Sequence, residues 1–187
     1  MLRWIKRNTH LRRTGHQLYE SIVAQARQER FFRELGVADT MQGRFELIVL
    51  HMLIVLERLK REGEPGQRIG QIVLERLIAE MDDAVRQSGI GDMGVPRRVQ
   101  RAAAAISERA RDYAFGSQSA GRLEAALAEH VYGAAQGRAE GSVLELAGRL
   151  AAYARASLAT LEAMPSEAVI EGRSIFAAPA GAAERQA

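Results

Sequence analysis

Apolar positions along this chain recur at intervals of three and four, in blocks separated by glycine- and proline-containing breaks. No stretch alternates with the period of two that a half-buried strand requires. One block differs from the rest. Between residues 47 and 56 every position is apolar except His51, so the segment is greasy all round and predicts a helix enclosed by others. Thr40 is a favourable N-cap, and the charged stretch REGEPG predicts a loop at the far end, which sets a central helix at residues 41–62. Before it, Leu18, Tyr19, Ile22, Val23 and Ala26 mark the inner face of a helix starting at His16. Phe31 and Phe32 belong to a short helix stopped by Gly36. After it, Ile69, Ile72, Val73, Leu77, Ile78, Met81 and Val85 predict a helix to Gln87, and SGIGDMGVP predicts a tight turn. Pro96 then opens a helix with Val99, Ala103, Ile106, Ala110 and Tyr113 inward. Leu123, Ala126, Leu127, His130 and Val131 predict the next, GAAQGRAEG a linker, and Val143, Ala147, Leu150, Ala154, Leu158 and Leu161 a last long helix. One further helical turn is expected at residues 166–171. The expected fold is all-α, a compact multi-helix domain of about six to seven helices around the central one.

Arg44, His51 and Arg58 lie seven residues apart, and two helical turns return each to nearly the same face. They predict one polar stripe down an apolar rod. On its own helix His51 has only Leu47, Ile48, Ile54 and Val55 within reach, so its imidazole needs a partner from another segment; a buried Arg44 needs a carboxylate. Glu80, Asp82 and Asp83 stand against the dipole near the C-terminal end of their helix, and are the expected partners of Arg44 or Arg58. Such a stripe can satisfy the core or form a polar seam for a protein partner. It can also serve a small-molecule binder or enzyme, for a quinone or haem, and a cavity of about several hundred Å³ must then open beside it.

With 187 residues the chain can bury a substantial core in one domain. It has no cysteine, which excludes disulfides, cysteine-based zinc sites and thiol nucleophiles. The net charge of +3 is uneven: residues 1–13 hold Arg3, Lys6, Arg7, Arg12 and Arg13 with no acid, so the rest of the chain is net −2. This basic N-terminal arm, residues 1–14, interleaves Leu2, Trp4 and Ile5 with its cations. It suits an anchor on anionic lipid, a contact with ribosomal RNA, or a solvated start; DNA is not an expected partner. No apolar run approaches the roughly 20 residues of a membrane span. Dinucleotide, Walker, HExxH and GxSxG motifs are absent, and His10, His16, His51 and His130 show no ligand spacing. Asp82, Asp83 and Asp92 are acids near a helix end, which ordinarily pair with cations or stay hydrated. No catalytic residue, metal or cofactor is therefore assigned.

The segments VAQAR, GVADT, GRFELIVLH, EMDDAVRQSGIGDMGVP and EHVYG, in this order between Leu18 and Gly133, resemble the ubiquinol–cytochrome c chaperone family. What carries the resemblance is DTxxGRFE with a histidine five residues after the glutamate, joined to a GxGDxxVP turn about forty residues later. It implies a non-catalytic, all-helical assembly factor for ubiquinol–cytochrome c reductase, respiratory complex III, that binds newly made cytochrome b. A small helper protein and the ribosome are further candidate partners. A bacterial member would be cytoplasmic and peripheral on the inner membrane. The matched positions are Asp39, Gly43, Arg44, Phe45, Glu46, His51, Asp82, Gly91, Asp92, Val95 and Pro96. Two features depart from the family pattern: ISERARDYA replaces an aromatic-rich segment with a glycine–arginine pair, and His130 stands where asparagine is common. The expected division is an arm at 1–14, the chaperone-family domain at 15–133, a linker and C-terminal helix at 134–162, and a mostly disordered tail at 163–187. The resemblance is expected to end before the last helix.

Overall fold

In the computed structural model, which describes residues 2–87, 95–113, 115, 121–133, 140–172 and 176, the periodic apolar blocks fold as helices. Side chains are described from residue 9 onward, except those of 82, 84–87, 95–99 and 102. In chain order the helices are α1 (Leu2–Ala26), α2 (Glu29–Arg33), α3 (Met41–Leu59), α4 (Gly63–Gln87), α5 (Val95–Tyr113), α6 (Arg122–His130), α7 (Glu140–Glu162) and α8 (Ser166–Ile170). Among the described residues there is no strand.

Helix α3 starts where its sequence says it should. Thr40 has extended backbone and its hydroxyl accepts the Gly43 N–H at 3.1 Å, an N-cap. Gly43 is required there for space: a Cβ would lie 2.0 Å from the Ala38 carbonyl oxygen. From residue 47 to 55 every side chain is buried except the half-buried Ile48. Each fully buried aliphatic side chain contributes about 1.5–3 kcal/mol, so this helix is the main apolar investment of the domain. The other helices surround it. Neighbours pack in the order α1, α4, α5, α6, α7, and α1, α4, α5 and α7 each touch α3. A hydrogen bond from Gln25 Nε2 to the Tyr153 hydroxyl, 2.9 Å, joins α7 back to α1.

Three expectations are revised. The helix expected to begin at His16 runs unbroken from Leu2, with Leu11 and Thr14 buried and the Thr14 hydroxyl donating to the Ile170 carbonyl at 3.0 Å. REGEPG is not a loop: Lys60–Glu62 is a single 3₁₀ turn and Gly63, at φ 59°, opens α4 directly. Pro65 is tolerated because the first turn of a helix needs no N–H donors, and Gly66 packs so tightly on the Leu59 carbonyl that a Cβ would come within 2.1 Å. On α5, Ala110 is exposed, and Ile106, Arg109 and Tyr113 face inward. The helical turn expected at 166–171 is α8, which buries Ala168 and Val169. Most of the glycine-rich turn after α4, residues 88–94, and of the linker before α7, residues 134–139, lie outside the described residues, as do 177–187.

Candidate functional site

The first turns of α3 put charged residues both inside and outside the domain. Glu46 is fully buried, which would be prohibitive for a lone carboxylate. It is not alone: Arg109 of α5 donates to it from Nε at 2.6 Å and from Nη2 at 2.5 Å, and Gln42 Nε2 adds a third bond at 2.6 Å. The bidentate fork, supported by a bond from Arg109 Nη1 to the Ala105 carbonyl at 3.0 Å, raises the Arg109 pKa still further. This pair rotates α5 so that an arginine, not Ala110, faces the core.

One turn and a half further on, His51 is fully buried. Burial pushes its pKa down to about 4, against the opposing effect of its bond to the Leu47 carbonyl. The neutral ring has one N–H, and a carbonyl can only accept, so Nδ1 donates to Leu47 at 2.7 Å and Nε2 accepts from the Tyr153 hydroxyl at 2.7 Å. That hydroxyl in turn accepts from Gln25, so one chain of bonds runs from α1 through α7 to α3. Phe31, Tyr153 and Phe176 close round the imidazole with ring centroids at 5.1, 5.5 and 5.1 Å. The ring is fully buried among these side chains.

At the other end of α3, buried Arg58 donates to the backbone carbonyls of Leu161, 2.8 Å, and Met164, 3.0 Å, and pairs with Glu62. It ties α3 to the C-terminal end of α7. The three residues expected to form one stripe therefore do three different things. Arg44 is exposed, and pairs with Asp39, not with an acid of α4. Of the acids on α4, Glu80 accepts from the Tyr19 hydroxyl at 2.8 Å and contacts Arg76 at 3.3 Å. Asp83 is exposed, and the Asp82 side chain lies outside the description.

What faces solvent is a small shelf at the start of α3. Arg44 Nε lies 2.7 Å from Asp39 Oδ1, and its guanidinium stands 5.8 Å above the centre of the half-buried Phe32 ring. The bond from Arg44 holds the Asp39 carboxyl below its usual range and raises the Arg44 pKa in return. Beside them Met41 is 86% exposed, the larger of the two strongly exposed apolar side chains among the described residues, the other being Leu144 on α7. An apolar methionine next to a preformed ion pair can take up an apolar helix and satisfy a polar end of it.

Of the expected site residues, Asp39, Gly43, Arg44, Phe45, Glu46 and His51 gather along α3, Phe45 half-buried. Gly91 and Asp92 lie outside the described residues, and Val95 and Pro96 open α5 without described side chains. The arm is helical through Arg3, Trp4, Lys6 and Arg7, whose side chains are likewise outside the description; Arg12 and Arg13 are exposed. Among the described residues no group of His, Asp or Glu could hold a metal. Sequence reasoning missed Arg109, Tyr153 and Tyr132, whose hydroxyl donates to the Leu35 carbonyl at 2.7 Å. A signal existed for one of them: a glutamate in an apolar helix demands a cation. His130 joins α6 to α5 through Asp112 Oδ2 at 2.8 Å.

Residues 33–176 match the family model described as ubiquinol-cytochrome C chaperone. The match continues through α7 to Phe176, so the resemblance does not stop before the last helix. The chain is also similar to a solved structure, the Cbp3 homolog from Brucella abortus, with 28% identity and a TM-score of 0.79 over 95% of this chain and 96% of that one. No curated protein sequence gives a match.

Proposed function

The chain belongs to the ubiquinol-cytochrome C chaperone family, and on that premise we propose that it is a non-catalytic chaperone that holds newly made cytochrome b during assembly of complex III. The observation that carries this reading is the contrast within α3. Glu46, His51 and Arg58 spend their polarity on internal partners, which leaves the signature residues Asp39 and Arg44, with the exposed Met41 between them, as solvent-facing chemistry. Cytochrome b is a bundle of apolar helices joined by polar loops, and a methionine beside an ion pair suits a helix end of that kind. Among the described residues no helix is long and apolar enough to cross a membrane. Family membership is what suggests a peripheral place on the cytoplasmic face of the inner membrane, with a small helper protein or the ribosome as further partners.

The test is genetic complementation. Deleting the gene should lower cytochrome b and complex III activity together, and the wild-type chain should restore both. A folded Met41→Glu/Arg44→Glu variant should fail to do so. If deletion leaves cytochrome b and complex III unchanged, the reading is wrong.

A further inference from the structure

Helices α1 and α4 approach closely where Gly15 meets Ile72, a contact so tight that a Cβ on Gly15 would fall 2.5 Å from Ile72 Cγ2. Beside this contact the two helices leave an open cleft of about 280 Å³ with Ile72 at its base. Its walls are basic. Arg12 and His16, one turn apart, come from α1; Arg68 and Arg76, two turns apart, come from α4, and all four are exposed. The lining contains one acid, Glu75, whose Oε1 is engaged by Gln71 Nε2 at 2.8 Å. Arg76 is shared with Glu80, and Arg68 Nη1 donates to Gln71 Oε1 at 3.1 Å; Arg12 has no ion pair among the described residues. Three arginines thus line a concave, partly apolar space whose lining holds one carboxylate.

We infer that this α1–α4 cleft is a binding site for the phosphate of an anionic phospholipid headgroup at a membrane surface. Guanidinium forks match phosphate oxygens in pairs. The cleft sits on the same continuous helix as residues 2–13, where Arg3, Lys6 and Arg7 interleave with Leu2, Trp4 and Ile5. Cations alone would suit any polyanion; cations mixed with apolar side chains, above an isoleucine base, suit the boundary between headgroup and acyl chain. The cleft deepens the membrane-contact part of the reading above and rests on it, but not on the identity of the client.

The experiment is co-sedimentation of the full chain with vesicles of phosphatidylcholine containing phosphatidylglycerol, at physiological salt. Each cation at such a surface contributes about a fivefold factor, so Arg68→Gln/Arg76→Gln should weaken partitioning by about thirtyfold. A charge-matched control on α5, Arg101→Gln/Arg111→Gln, should lose about fivefold or less. Circular dichroism should show both variants as helical as the wild type. Equal losses in the two variants would mean undirected surface charge and would overturn the cleft alone. No binding by the wild type would overturn the cleft and the membrane reading together. Displacement from the vesicles by millimolar inorganic phosphate would identify a free-anion site and contradict the lipid assignment. So would a cleft variant that loses ribosome binding while keeping vesicle binding.

Discussion

Replacing Arg109 by leucine would leave the Glu46 carboxylate fully buried with Gln42 as its remaining side-chain partner. Two of the three side-chain bonds to that carboxylate, at 2.6 and 2.5 Å, come from the guanidinium. Breaking one partner of a buried pair costs about 3–5 kcal/mol, because the charge left behind stays desolvated. Arg109 retains slight exposure, 8%, which places the expected cost near the lower end, about 3 kcal/mol. That is a large share of the roughly 5–15 kcal/mol that holds a domain together. The Glu46→Leu variant should suffer comparably, since it strands the guanidinium. The double variant removes both desolvation penalties, and an apolar pair of similar volume is often as stable as the ion pair it replaces. Urea unfolding followed by circular dichroism gives all four corners of the cycle. Each single variant should lose about 3 kcal/mol and the double variant less than either. If Glu46 serves as a clamp between α3 and α5 alone, the double variant should also restore complex III assembly. Additive losses would refute the pairing argument, and a stable double variant without function would refute the structural role assigned to Glu46.

Three further outcomes follow from the same geometry. His51 stays neutral in the fold down to about 4 while its unfolded value is 6.5, so the unfolded state takes up the proton first. Stability is then lost as pH falls through that window, by roughly 2 kcal/mol at pH 5; unfolding at pH 5 and 7.5 should show this loss largely removed in His51→Gln, and an unchanged pH dependence would count against it. Gly43→Ala places a Cβ 2.0 Å from a backbone oxygen that cannot rotate away, and should cost about 1–3 kcal/mol with disturbance of the Thr40 cap. Thermal unfolding within a degree of the wild type would contradict that. Arg44→Glu, by contrast, changes an exposed ion pair and should leave the urea midpoint within error while reducing cytochrome b capture.

The helices were legible because packing imposes a 3.6-residue period on the sequence, and the run at residues 47–56 marked α3 as enclosed. The stripe on α3 was misjudged for a physical reason. Spacing of seven says that Arg44, His51 and Arg58 share a face; it does not say what stands opposite. Arg44 lies in the first turn, where the chain entering the helix supplies Asp39 locally. Arg58 takes backbone carbonyls at the end of α7, acceptors that every sequence contains and none advertises. Tyr153 was hidden in an alanine-rich helix, and Arg109 in a segment noted for its departure from the family pattern. REGEPG read as a loop from its glycines, yet Gly63 takes the positive φ that turns the corner and Gly66 packs on the Leu59 carbonyl between two helices.

The proposed contact with the client is the exposed start of α3. Met41 and Arg58 are separated by about 25 Å of helix, and α8 lies at the Arg58 end. A photo-crosslinking amino acid placed at Met41, and in a second chain at exposed Glu167 on α8, compares the two ends within the same fold. Contact through the start of α3 should give a cytochrome b adduct from position 41 and little from position 167. An adduct from 167 with none from 41 would contradict it.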